Sequence, residues 1–300
     1  MHAVDRDWFV RQHVFRFLDD LTAEHGDLLP WKALQDGFEL DGARITLIGM
    51  PGIWKPKSMD LPISIRTGVD DPYGDVAGDD GFLHYRYFQT DPSHPDNAGL
   101  RRCLTEGRPL VYFRAVEKGV YAALWPLVLV HDDPASLTFT AACEDVESLA
   151  PGVTPAAADA ARRAYVTRMA LVRLHQAKFR QQVLTAYATR CTVCHLQHRE
   201  LLDAAHIVGD KHALGEPVVT NGLALCKIHH AAFDANIMGI RPDHVVEIRA
   251  EILTEVDGPM LRHGLQSLHG ARLMHVPRRT ADRPDPERLE LRYEEFRAAG

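Results

Sequence analysis

The sequence lacks long apolar runs. The longest, residues 121–130 (YAALWPLVLV), is far shorter than the ~18 apolar residues that a membrane-spanning helix needs. The first residues, MHAVDRDWFVRQ, also lack the basic stretch and apolar core of a secretory signal peptide. With 46% hydrophobic and 25% charged residues, the 300-residue chain has an ordinary globular composition, which excludes a disordered or fibrous protein. We therefore expect a cytoplasmic protein of about two domains with no membrane partner.

Cysteine is scarce, and its five residues are an odd number: Cys103, Cys143, Cys191, Cys194 and Cys226. In a reducing compartment an odd count argues against a disulfide framework. Three of the five lie within a 36-residue window. This clustering favours metal ligation.

Basic residues are few in the first half of the chain. Residues 1–150 carry a net charge of −10 and residues 151–300 a net charge of +3, for a total of −7. Overall acidity argues against a polyanionic partner, but screening over about 8–10 Å makes the local surface more important than the total. A nucleic-acid partner is therefore not excluded.

The hydrophobic patterns predict an α+β protein. Apolar spacing from Trp8 to Leu21 predicts a helix that ends near Gly26. Residues 40–150 contain short runs of strand-forming residues separated by Gly, Pro and Asp, and this pattern predicts a curved sheet or barrel. Helical spacing from about Ala156 to Ala188, with many arginines, predicts a long basic helix whose charged face is either a binding surface or simply solvated. We accordingly place an N-terminal domain at 1–150, a linker and basic helix at 151–190, and a C-terminal domain at 191–300.

Two pairs of metal-ligand residues lie in the C-terminal domain. They are Cys191-x2-Cys194 and Cys226-x2-His229, separated by 31 residues. A Cys3His set at this spacing is typical of a closed, tetrahedral structural zinc site. Buried thiols without a metal are the alternative, and His195 or His198 could replace one of the ligands.

Three further residues are interleaved with these pairs. His206 ends a predicted strand, Asn221 lies in the return segment, and His230 directly follows the last zinc ligand. In this order the chain, over about residues 178–240, resembles the HNH or ββα-metal nucleases. The resemblance implies a zinc-stabilised ββα-metal domain in which His206 is the general base, Asn221 shapes the loop and helps to orient the base, and His230 binds a catalytic Mg²⁺ or another divalent ion. A neutral imidazole with a pKa near 6.5 suits deprotonation of water near neutral pH.

The sequence departs from this family at one position. Ala205 stands immediately before the base, where many HNH nucleases have a metal ligand. Asp203 lies on the same strand face by the period-two rule, so it either binds the catalytic ion or has a structural or capping role. We assign only packing roles to Phe233, Asp234 and the helical tail at 286–297.

The N-terminal domain contains all four tryptophans and an aromatic segment at 72–92 with Tyr73, Asp75 and Tyr85 among turn residues. With the motifs GIWKP at 52–56, PISI at 62–65, Asn97-x2-Leu100 and GRPL at 107–110, it resembles over about residues 40–135 the SRA domains, which flip 5-methylcytosine out of the duplex. The resemblance implies that Tyr73 and Tyr85 sandwich the base while Asp75, or Asp79 or Asp80 in its place, accepts a hydrogen bond from the cytosine amine. Core tyrosines and turn-forming aspartates are the alternative.

Four residues are weaker candidates for contacts to DNA: Trp54, Lys55, Arg101 and Arg102.

With both domains, the chain resembles the SRA-HNH restriction enzymes of the TagI kind. They imply a modification-dependent endonuclease acting on double-stranded DNA that contains modified cytosine. One HNH site per chain implies a homodimer for cutting both strands. Two alternatives remain: an HNH nuclease reading another mark, such as 5-hydroxymethylcytosine, N6-methyladenine or phosphorothioate, or a non-catalytic, zinc-containing DNA-binding reader.

Overall fold

The computed structural model describes residues 5–69, 76–77, 80–144, 160–210 and 212–299, with backbone alone at 76–77. The protein is α+β, as predicted, and its chain separates into two compact units, Met1–Ala177 and Lys178–Gly300. Among the described helices, none combines the length and the apolar character that crossing a bilayer requires.

The first unit is built on one large sheet. In chain order its elements are α1 (Arg6–His25), β1 (Leu29–Pro30), α2 (Trp31–Asp36), β2 (Phe38–Leu40), β3 (Ala43–Ile45), β4 (Ile53–Trp54), β5 (Ser64–Thr67), β6 (Val76–Ala77), β7 (Leu83–Arg86), α3 (Pro95–Thr105), β8 (Leu110–Glu117), β9 (Val120–Asp133) and β10 (Thr138–Cys143). The strand order is β4-β5-β8-β9-β10-β7-β6, with β1 also paired to β9. Only the β5–β8 pair among these described strands is parallel, and register shifts interrupt the ladders on both sides of β9. The predicted curled β-rich architecture is confirmed.

The long strand β8 shows how the sheet buries both faces. Val111 and Phe113 belong to one core with the α1 residues Val14 and Leu18, whereas Tyr112 belongs to a second core on the side of α3. This alternation follows from the two-residue period of a strand. The helix α3 is absent from the sequence prediction, because its short segment carries few apolar residues in a polar, proline-containing context.

The predicted N-terminal helix is confirmed as α1. Asp5 caps its start by accepting a hydrogen bond from the Trp8 amide at 3.1 Å. Gly26 follows its end with φ of 75°, a conformation that favours glycine. These two residues therefore set the limits of the helix.

The second unit contains two small hairpin-like sheets and several helices. Its elements are β11 (Leu202–His206), β12 (Gly222–Cys226), α5 (Lys227–Asp234), β13 (Met238–Ile240), β14 (Val246–Ile248), α6 (Ala250–Thr254), α7 (Pro259–Gly264) and α8 (Pro286–Ala298). Strands β11 and β12 pair antiparallel, with Leu202 opposite Cys226 and His206 opposite Gly222. Helix α5 follows β12 directly, so β11, β12 and α5 form the predicted ββα arrangement.

A long helix, α4 (Ala160–Ala186), corresponds to the helix predicted from the basic segment. Its residues Leu171 and Leu174 belong to a core of the first unit. Phe179, Val183 and Leu184 belong to the core of the second. The division at residue 177 therefore falls within the helix, whereas the sequence places a boundary near residue 150, which lies outside the described residues.

Candidate metal centre and nuclease site

Four side chains in the second unit form a cluster that could hold a metal ion. The ligand atoms of Cys191, Cys194, Cys226 and His229 all lie within 4.8 Å of one another. The Cys194 and Cys226 sulfurs are 3.9 Å apart, and His229 Nδ1 lies 3.1 Å from the Cys226 sulfur and 3.5 Å from the Cys191 sulfur. A tetrahedral zinc site with Zn–S bonds of 2.3 Å requires S···S distances of about 3.8 Å and S···N distances of about 3.6 Å. The cluster thus fits the metal geometry that the sequence predicts.

The orientation of His229 also suits a metal ligand. Its Nε2 lies 2.8 Å from the carbonyl oxygen of Gly264, which can only accept a hydrogen bond, so Nε2 carries the proton. Nδ1 therefore directs its lone pair toward the sulfurs. Metal-bound histidines are commonly held in this way, by a hydrogen bond from the other ring nitrogen to an acceptor. Burial alone lowers the pKa of His229, but Cys191 and Cys226 outweigh it and raise that pKa to about 10. Nδ1 is thus directed at the sulfurs with which it would share a metal ion.

His206 lies at the end of β11, as predicted. Its ring stacks on Phe179 of α4, with centroids 4.0 Å apart and planes inclined by 12°. Its Nε2 is buried and lies 3.2 Å from Asp210 Oδ1 without the alignment of a hydrogen bond. Burial lowers the pKa of His206, and the charge of His230 adds to this, while Asp210 and Asp234 act in the opposite direction. At a given pH, a larger fraction of this imidazole is therefore neutral than in a solvent-exposed histidine. The neutral ring is the form that can accept a proton.

Asn221 is fully buried and fastens the loop that follows His206. Its Oδ1 accepts a hydrogen bond from the Val208 amide at 2.9 Å. Its Nδ2 donates to the carbonyl oxygens of Val208 and Glu216, each at 3.0 Å. These bonds match the loop-shaping role that the resemblance implies.

His230 lies on α5 between two carboxylates. Its Nδ1 is 3.7 Å from Asp203 Oδ2, and its Nε2 is 3.4 Å from Asp234 Oδ2. Nitrogen and carboxylate oxygen donors suit Mg²⁺ or Mn²⁺, so the residues around His230 fit a divalent catalytic ion.

Asp203 is engaged by two basic side chains. Its Oδ1 accepts a hydrogen bond from Arg180 Nε at 3.2 Å, and its Oδ2 accepts one from Lys227 Nζ. Although burial opposes it, the pKa of Asp203 is lowered by Lys227 and Arg180. Asp203 therefore lies beside His230 with its charge already paired, and metal ligation by Asp203 stays a prediction.

Three residues of this site are absent from the sequence prediction. Phe179 supplies the stacking surface for His206, Asp210 lies beside its Nε2, and Asp234, assigned only to packing, faces His230. The i,i+4 spacing of His230 and Asp234 on a predicted helix is a signal that could have found the last of these. No sequence spacing indicates the other two, since their proximity depends on the loop after β11 and on the packing of α4.

The predicted base pocket is described only in part. Tyr73, Asp75 and Asp79 lie outside the described residues. Tyr85 is buried, at 6% exposure, on β7 in the core of the first unit. Asp80 is half-exposed and accepts hydrogen bonds from the Phe82 amide and from His84. A base-stacking role for Tyr85 stays a prediction.

The four weaker candidates for DNA contact all have partners within the chain. Trp54 donates from Nε1 to the Thr46 carbonyl at 3.0 Å, and Lys55 donates to the Met59 carbonyl at 3.2 Å. Arg101 donates to Asp132 at 2.6 Å and to the Tyr87 hydroxyl at 3.1 Å, while Arg102 donates to Glu106 at 2.8 Å. The single indole N–H of Trp54 is thus already used, whereas Lys55, Arg101 and Arg102 have more N–H donors than these bonds occupy.

Comparison with known proteins identifies the class of the second unit. Residues 191–241, which include the metal cluster, His206, Asn221 and His230, match the family model of the HNH endonucleases. The second unit therefore contains an HNH endonuclease domain, as the sequence predicts. A solved structure of a modification-dependent TagI restriction endonuclease aligns with 78% of this chain and 81% of that chain, at 18% identity and a TM-score of 0.31. So low a TM-score establishes neither a common fold nor a common function. No curated protein sequence matches the chain.

Proposed function

We propose that this protein is a modification-dependent restriction endonuclease. In this proposal the first unit flips and reads 5-methylcytosine in double-stranded DNA, and the HNH domain hydrolyses the phosphodiester backbone. One observation carries the nuclease half: His206, stacked on Phe179, and His230, flanked by two carboxylates, both lie within the segment that matches the HNH endonucleases.

His206 would act as the general base. Its neutral imidazole takes a proton from water, the water oxygen forms a bond to phosphorus, and the P–O bond to the leaving oxygen breaks, after which that oxygen takes a proton from solvent. The stack on Phe179 limits rotation of the ring, and the hydrogen bonds of Asn221 fix the loop that follows it. The chain itself thus supplies the base and holds its position.

A divalent ion bound at His230 would offset the negative charge that develops on the phosphate and leaving oxygens. The Cys3His cluster would hold zinc in a structural role, since all four protein ligands are present and no position is left open for water. We propose Zn²⁺ for the cluster and Mg²⁺ or a similar ion for the cleavage site.

The reader half rests on the sequence resemblance to SRA domains. Two stacked aromatic rings contribute on the order of 1–3 kcal/mol per base, which can offset an unstacking cost of a few kcal/mol. A methyl group adds only ~0.8 kcal/mol by transfer, and pocket discrimination of one such group is worth roughly 1–3 kcal/mol. We expect the preference for methylated over unmodified DNA to be about tenfold to a hundredfold in binding.

The test compares cleavage of one plasmid in cytosine-methylated, adenine-methylated and unmethylated form. Each is incubated with Mg²⁺, Mn²⁺ or EDTA, with wild type and with His206→Ala in parallel. We expect selective, EDTA-sensitive cutting of the cytosine-methylated plasmid and a loss of at least about 100-fold in the variant.

The outcomes separate the two halves of the proposal. Metal-dependent cutting that is independent of methylation would support the nuclease and reject the 5-methylcytosine reader. Selective cutting of the adenine-methylated plasmid would mean that the reader recognises a different modification. Cleavage unchanged by His206→Ala would reject the assigned base. Binding to methylated DNA with no cleavage under any condition would support a non-catalytic reader.

A further inference from the structure

Residues beside His230 could supply a second protein ligand for the catalytic ion. The position before the base is Ala205, which has no donor atom. Two carboxylates flank the His230 ring on different nitrogens: Asp203 faces Nδ1 at 3.7 Å, and Asp234 faces Nε2 at 3.4 Å. An imidazole binds one ion through one nitrogen, so these two carboxylates are competing candidates for the same role.

The contacts of Asp203 make it a poor ligand. Arg180 and Lys227 each donate to one of its two oxygens. A metal ion bound to Asp203 would be repelled by both of these cations at short range. Asp203 already has its charge balanced without a metal.

Asp234 is in the opposite situation. Its side chain is 63% exposed, and no other described side chain is hydrogen-bonded to it. Arg292, which acts on it electrostatically, is itself engaged with Asn236 and with the Phe233 carbonyl. The carboxylate of Asp234 is therefore available to an incoming cation.

The geometry of α5 also suits chelation by His230 and Asp234. The i,i+4 spacing places both side chains on one face of the helix, with Nε2 and Oδ2 3.4 Å apart. Two neighbouring ligands of an octahedral ion with bonds of 2.0–2.1 Å lie about 3 Å apart, so a small side-chain adjustment is enough. Asp234 and His230 also both act electrostatically on His206.

We infer that His230 Nε2 and a carboxylate oxygen of Asp234 bind the catalytic divalent ion, and that Asp203 instead faces His230 Nδ1 and orients the ring. A carboxylate behind a metal-bound histidine is a common arrangement that fixes the tautomer and the direction of the lone pair. This assignment rests on the proposed function of the HNH site, and it explains how the site works with alanine at position 205.

The experiment measures Mn²⁺ binding by titration calorimetry and by the loss of the free-ion paramagnetic resonance signal. It uses the whole 300-residue chain. The Cys3His cluster is loaded with zinc beforehand, so that added Mn²⁺, which prefers oxygen and nitrogen donors to thiolates, binds only at the second site. Wild type is compared with Asp234→Asn and with the matched control Asp203→Asn, which removes the same charge beside the same histidine. We expect one Mn²⁺ site per chain in wild type, a loss of binding of at least about a hundredfold in Asp234→Asn, and a smaller loss, about tenfold, in Asp203→Asn, which keeps both ligands but loosens the ring.

Three results would overturn the inference: weaker binding in Asp203→Asn with normal binding in Asp234→Asn, equal binding in all three proteins, or no Mn²⁺ binding by wild type. Thermal unfolding of each variant verifies that the fold is retained. Plasmid cleavage is assayed on the same preparations. Mn²⁺ bound through Asp234 with no cleavage of any plasmid would reject the proposed function but keep the ligand assignment. Cleavage that survives Asp234→Asn would reject the ligand assignment but keep the proposed function.

Discussion

The partly buried imidazole of His206 has its protonation controlled by neighbours of both signs. Burial and His230 disfavour the imidazolium, while Asp210 and Asp234 favour it. The net effect is a pKa below the ordinary value of 6.5, so the fraction of neutral base at a given acidic pH is larger than for a solvent-exposed histidine.

This balance predicts the direction of a pH effect. Asp210→Asn removes a charge that stabilises the imidazolium, so the pKa of His206 falls further and the acidic limb of the activity profile moves to lower pH. The profile of kcat/KM against pH, measured for wild type and Asp210→Asn, checks this. A limb that moves to higher pH would contradict the stated role of Asp210.

Asn221 should matter for stability as well as for activity. Asn221→Ala leaves the Val208 amide and the Glu216 carbonyl without their present partner, at a cost of roughly 1–3 kcal/mol in the free energy of unfolding. Chemical denaturation measures that loss. Cleavage should fall in the same variant because the loop after the base loses its anchor, and a variant with normal stability and activity would contradict the assigned role.

At the scale of elements, the Cys3His cluster joins the parts of the ββα unit, and we expect the unit to depend on the metal proposed for it. Helix α5 has only eight residues, and His229 on it joins Cys226 of β12 to the turn that carries Cys191 and Cys194. So small a unit gains much of its folding free energy from a bound metal.

Removal of one ligand should therefore lower both metal content and stability. We expect Cys226→Ser to lose zinc, measured by elemental analysis, and to unfold at a lower temperature than wild type. Cys103→Ser is the matched control, since Cys103 is a buried thiol of the first unit that lies outside the cluster. Equal zinc content in both variants would mean that the cluster does not hold the metal.

Local sequence predicts the elements better than it predicts their contacts. The spacing of the two ligand pairs identifies the cluster, and the hydrophobic patterns identify α1, α4 and the longer strands of the large sheet, β5, β7, β8, β9 and β10, but not the two-residue strands β1, β4 and β6. The parallel pairing of β5 with β8, the contacts of Asp203 with Arg180 and Lys227, and the approach of Asp210 to His206 all depend on tertiary packing. Sequence patterns carry information over a few residues, and these partners are brought together only by the complete fold.

At the scale of the whole molecule, one HNH site per chain predicts a homodimer when both DNA strands are cut. Light scattering coupled to size exclusion, with and without a methylated duplex, measures the assembly state. We expect two chains per duplex at protein concentrations that give double-strand breaks. A monomer on DNA that is cut in both strands would reject this prediction.

The tryptophans make the two units optically distinguishable. Trp8, Trp31, Trp54 and Trp125 all belong to the first unit, and residues 178–300 contain none. Intrinsic tryptophan emission therefore follows denaturation of the first unit, whereas far-ultraviolet circular dichroism follows the helices of both. Superimposed transitions by the two signals would show that the units unfold as one cooperative body, and separated transitions would show that each has its own melting point without any need to cut the chain.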